Sequence, residues 1–74
     1  MAKGRVENWN GWTGHLIDDG DSARVFFGDW CLDGLDARHL RPGMVVEFER
    51  RHGPTGPVAQ RVRVVRAGNG AATP

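Results

Sequence analysis

"MVVEFERRHGPTGPVAQRVRVV", Met44 to Val65, decides the fold. Two alternating runs flank a stretch rich in glycine and proline. In the first, "MVVEFERR" (44–51), Val46 and Phe48 share one face and Glu47 and Glu49 the other, the period of two expected of a half-buried strand. In the second, "VAQRVRVV" (58–65), Val58, Gln60, Val62 and Val64 fall in one register and Ala59, Arg61, Arg63 and Val65 in the other. "HGPTGP" (52–57) reads as the loop that joins them. A two-stranded hairpin is marginal in water, so the remaining chain must supply partners.

Upstream, three further runs suit a pleated surface: "KGRVENW" (3–9), "WTGHLI" (12–17) and "ARVFF" (23–27). "DDGD" (18–21) is a turn between the second and third, because Asp and Gly tolerate tight backbone geometry. "GDWCLDGLDARHLRPG" (28–43) has no clean period, although "DARHL" (36–40) suits one helical turn. "AGNGAATP" (67–74) has nothing to bury and is expected to be a loose tail after a single domain over residues 1–66. Five short strands in so small a chain close most economically as an all-β, five-stranded antiparallel Greek-key barrel, which removes exposed edges. Periodicity alone does not separate this from an SH3-like barrel.

The 74 residues have room for one domain, and a chain of this size buries only about 60% of the surface its unfolded form exposes. No run approaches the roughly 18 apolar residues of a membrane span, and "MAKGRVENW" lacks the apolar stretch of a signal peptide. Cys31 is the single cysteine, so an internal disulfide framework is excluded and a cytoplasmic location is expected. The net charge of +1 hides an uneven distribution: residues 1–36 carry −4 and residues 37–74 carry +5. Such a map predicts an acidic first half and a basic face drawn from the second. The arginines that recommend themselves are Arg61, which shares a strand face with Arg63, and Arg38, which with Arg41 frames the long loop.

Nothing in the chain suggests an enzyme. Ser22 is the only serine and has no base beside it, and the carboxylates are scattered rather than paired for acid–base work. His15, His39, His52 and Cys31 lack zinc-site spacing, and "DDGD" lacks the glutamate that closes a calcium loop. No metal and no cofactor are expected.

From Gly4 to Val65 the order of motifs resembles the bacterial cold-shock domain. Gly4-x-Val6 is followed by Trp9-Asn10, similar to the family's Phe-Asn. Gly14-His15-Leu16 resembles the end of its first RNA-binding strand, and Val25-Phe26-Phe27 the start of its second. Leu32, Leu40, Gly43, Val46 and Phe48 fall on its apolar and turn positions, and "GPTGPVAQRV" (53–62) matches its Gly-x-x-Gly-Pro-x-Ala-x-x-Val. The resemblance implies an OB-fold barrel that binds single-stranded RNA or DNA by stacking bases on exposed rings, with an RNA-chaperone or transcription- and translation-modulating role.

The chain departs from the family on the face that carries this function. Asn8 stands at an exposed Trp, Glu7 at a phosphate-binding Lys, Thr13 and His15 at two phenylalanines, Gly28 and Asp29 at a His-Phe pair, and Ala37 at a loop aromatic. Phe26 keeps its ring, and alternation puts it outward between inward Val25 and Phe27. Trp12 and Trp30 lie beside lost positions, where each would either swing a ring onto the face or cap the barrel. The expected nucleic-acid-binding set is therefore Trp9, Asn10, Trp12, His15, Phe26, Trp30, Arg38 and Arg61. The other expectation is a repurposed barrel that docks a protein of the transcription or translation machinery, since Trp and Arg are favoured anchors at interfaces. No membrane partner is expected.

Overall fold

The computed structural model describes residues 1–65, so the expected tail over 67–74 lies outside the described residues. Five strands follow one another: β1 (Ala2–Trp9), β2 (Thr13–Asp18), β3 (Arg24–Gly28), β4 (Val45–Gly53) and β5 (Gly56–Val64). Two single 3-10 turns, Asp29–Cys31 and Ala37–His39, sit between β3 and β4, the second inside "DARHL". The described residues contain no α-helix, and hence no helix long and apolar enough to cross a membrane.

The strands form a closed barrel in the order β1-β2-β3-β5-β4. Four of the five pairings are antiparallel, but β3 meets β5 in parallel, with Phe26 opposite Val58. The sheet is therefore mixed, which corrects the expectation of a purely antiparallel barrel. The long segment after β3 carries the chain to β4, which lies beside β1, so β5, the next strand, fills the place between β4 and β3 and runs in the same direction as β3. The β4–β5 hairpin is tighter than the sequence suggests. Gly53 pairs with Gly56, and only Pro54 and Thr55 remain as the turn.

Alternation fills the interior. Val6, Leu16, Val25, Phe27, Leu40, Val46, Phe48, Ala59 and Val62 are almost wholly withdrawn from solvent. Ala59 and Val62 are three residues apart and cannot share a face of a regular strand. They do so here because β5 bulges: Glu49 faces Gln60 and Glu47 faces Arg63, so three steps on β5 answer two on β4. Arg61 lies inside the bulge with φ of +52°, the left-handed region that side chains other than glycine occupy at a cost. The two registers read from "VAQRVRVV" are thus broken in the middle of the strand.

A second bulge lies in β1. Val6 faces Leu16 and Asn8 faces His15, leaving Glu7 as the extra residue. Glu7 and Asn8 both face solvent, and Trp9 turns inward to stack on Phe27, with ring centres 5.1 Å apart and planes 9° from parallel. The Trp9 indole N–H donates to the Ala37 carbonyl at 2.9 Å, tying the long segment to the barrel. Gly14, opposite Trp9, permits this approach, since a Cβ there would collide with the Asn8 carbonyl and the Trp9 ring.

Folding brings several acids of the first half against arginines of the second. Asp18, the one buried charged side chain among the described residues, accepts from the Gly20 amide and pairs with Arg50 at 3.1 Å. Asp21 pairs with the same guanidinium at 2.7 Å, and Asp33 with Arg63 at 3.4 Å. Acids of the first half thus meet arginines of the second. The hydrogen bond from Arg50 lowers the Asp21 pKa, and the two carboxylates raise that of Arg50.

Two predictions follow from these contacts. A carboxylate with a depressed pKa stabilises the fold above its unfolded pKa near 3.9 and loses that contribution as pH falls through the folded value. Arg50→Met is expected to lower Tm at pH 7, and the gap from the parent chain should narrow on acidification below about pH 4. Thermal melts from pH 7 to pH 2 read this; a gap of constant size would contradict it. At the β5 bulge, Arg61→Gly should be more stable than Arg61→Ala by about 1 kcal/mol, the reverse of the usual order in a strand. Urea denaturation of the two variants measures the difference.

Candidate functional site

The outer face of β2 and β3 is built from residues that alternate with the core. On β2, Thr13, His15 and Ile17 face out between Gly14, Leu16 and Asp18. On β3, Arg24 and Phe26 face out between and beside buried Val25 and Phe27. Antiparallel register sets His15 opposite Phe26 and Ile17 opposite Arg24, while β1 brings Asn8 beside His15 and Arg5 beside Ile17. Parallel pairing adds Val58 of β5 on the far side of Phe26. Asn8, His15, Phe26 and Val58 therefore lie in one row across four strands.

Three rings of this face neighbour one another. His15 meets Phe26 edge-on at 5.7 Å between centres and 68° between planes. Phe26 meets Trp30 at 6.4 Å and 50°. Phe26 is 37% exposed and Trp30 65%. Trp30 is not in a strand; it stands in the 3-10 turn that follows β3. Its ring folds back over Gly28, where a Cβ would collide with three carbons of the indole's six-membered ring. Gly28 leaves an empty place on the face, and Trp30 fills it from two residues downstream.

His15 is held by Asn8, whose side-chain oxygen accepts from the His15 amide at 3.2 Å and lies 3.3 Å from Nδ1. The Asn8 amide group in turn donates to Glu7 at 3.4 Å. Glu7 does not confront the face as a free anion, because Arg24 Nε donates to it at 2.6 Å. Arg5 and Lys3, also on the outer side of β1, have no salt bridge among the described residues. Asp29 and Asp19 are the carboxylates of the first half without one among the described residues.

The other expected residues fall elsewhere. Trp9 is half-buried against Phe27, with its N–H already bonded. Asn10 builds the β1–β2 turn: its side-chain oxygen accepts from the amides of Trp12 and Thr13, both at 2.8 Å. Trp12 projects from that turn, 66% exposed, and its carbonyl accepts from the Asp29 amide, which ties the turn to the base of Trp30. Arg38 is engaged by Asp36 at 2.9 Å, an interaction that holds the Asp36 carboxyl down at about 2 and raises the guanidinium pKa. Arg61 is exposed and lies 3.5 Å from Glu49.

The structure thus brings His15, Phe26 and Trp30 together, and leaves Trp9, Asn10 and Arg38 with structural partners. Arg5, Arg24, Ile17 and Val58 were missed as members of the face. Counting back by two from Phe26 would have found Arg24, but Arg5 and Val58 depend on which strands lie side by side. Compared with known proteins, the chain matches no family model, and no curated protein matches it either.

Gly28→Ala should lift the Trp30 ring from the face while leaving the barrel intact, because the colliding atoms belong to the far end of a movable side chain. The expected outcome is a larger acrylamide-quenching constant for tryptophan emission with Tm nearly unchanged. Unchanged quenching would mean that the indole does not rest on Gly28.

Proposed function

We propose that the chain is a single-stranded nucleic-acid-binding module of OB-fold type, with a Greek-key barrel whose strand order matches that reading. The observation that carries this is the row of rings on one barrel face, Phe26 and Trp30 exposed and His15 half-buried beside them. Unpaired bases stack on such rings with roughly 1–3 kcal/mol each and little regard for sequence. Trp30 over Gly28 supplies a flat surface close to where the cold-shock resemblance places its lost aromatics, so the platform is altered rather than absent.

Arg5 and Arg24 flank Ile17 at one end of the row and are placed to follow a phosphate backbone there. Arg24 shares its charge with Glu7, so the electrostatic contribution is smaller than in a face lined by free lysines. Binding is accordingly expected to be weak and to rest more on stacking than on charge. An RNA-chaperone or expression-modulating role follows from the resemblance and belongs to the same proposal.

Tryptophan fluorescence titration with oligo-dT and oligo-U in low salt tests the reading. Quenching that saturates is expected. Phe26→Ala and Trp30→Ala should each weaken binding by about tenfold. Affinity should fall only shallowly with salt, since few phosphates are neutralised. No quenching at high micromolar oligonucleotide would overturn the proposal.

A further inference from the structure

Beyond Trp30 the face drops into a groove of about 430 Å³, lined by Trp30, Cys31, Leu32, Asp33, Gln60 and Arg61. Its size falls within the range of roughly 300–1,000 Å³ typical of small-ligand sites. Both walls are pinned. Leu32 bridges Val62 of β5, and the Asp33 amide donates to the Val62 carbonyl at 2.8 Å. The opposite wall is the β5 bulge, where Gln60 and left-handed Arg61 face solvent. An arginine at φ of +52° costs stability that a glycine would not, the kind of local conflict that gathers at functional positions.

The groove wall changes in chemistry from the platform beside it. The platform is centred on rings, whereas the groove sets a carboxylate beside a carboxamide and a guanidinium. Asp33 is about half exposed; Arg63 reaches only its Oδ2, at 3.4 Å, and Oδ1 has no hydrogen bond among the described residues. A carboxylate repels phosphate but accepts strongly from N–H groups on a base edge. Of the bases, guanine alone presents two adjacent donors, N1–H and N2–H, spaced to meet both oxygens of one carboxylate. The Gln60 carboxamide can donate to its O6.

We infer that this groove is a guanine subsite: the strand that stacks across His15, Phe26 and Trp30 turns one base off the end of the platform, and Asp33 reads its Watson–Crick edge. The inference rests on the single-strand reading above and adds base selectivity to a surface that otherwise has little. Arg61, at the groove's rim, holds the adjoining phosphate.

The test is a fluorescence titration of the full chain with a thymine heptamer and with heptamers carrying a single guanine at each position in turn. At least one guanine placement should bind about fivefold or more tighter than the all-thymine strand. Asp33→Ala should bring that ratio to near one while leaving affinity for the thymine strand unchanged. Amide shifts of Leu32, Asp33, Gln60 and Arg61 should respond to the guanine strand and not to the thymine strand. If the thymine strand binds and no guanine placement is preferred, the subsite is overturned and the platform stands. If neither strand binds, the platform reading itself falls and the subsite with it. Should Asp33→Ala fail to fold, Gln60→Ala and the wild-type amide shifts decide.

Discussion

The barrel closes because β5 carries one residue more than the β4 segment it pairs with. On an unbulged strand Ala59 and Val62, three residues apart, would fall on opposite faces, and either the core or the seam with β3 would be lost. The bulge bends and twists the strand, which is what a short strand needs to leave β4 and reach β3 across a narrow barrel. Its cost is a non-glycine residue in the left-handed region. Its result is a single core in which Phe27 and Phe48 are sealed, and an arginine displayed beside the groove.

The bulge in β1 has the complementary effect. It puts Glu7 and Asn8 together on the outside and sends Trp9 to the inside. A ring that simple alternation from Val6 would have exposed becomes a fastener between core and loop. A position read by resemblance as aromatic becomes a carboxamide that orients His15. The β1 irregularity thus decides that Trp9 holds the protein together rather than facing outward.

Charge follows the same logic. A linear count divides the chain into an acidic half and a basic half, but the barrel interleaves them. Arg50 sits between Asp18 and Asp21, and Arg63 beside Asp33. Beside the rings, Glu7 is paired with Arg24. The arginines that appeared most available, Arg38 and Arg61, have carboxylate neighbours, while Arg5, unremarkable in sequence, has none among the described residues.

The all-β class, five strands close to their observed limits, the inward set of Val25, Phe27, Val46 and Phe48, and the outward Phe26 can all be read from the residues alone. Each follows from a period of two within one strand, which is a local property of the chain. The parallel meeting of β3 with β5, the inward turn of Trp9, the seating of Trp30 over Gly28, and the pairing of distant charges are set by the closed barrel. These depend on an extra residue in one strand relative to another, or on which strands lie side by side. Neither relation is written in any single stretch, because each is set by the requirement that all five strands enclose the same small interior.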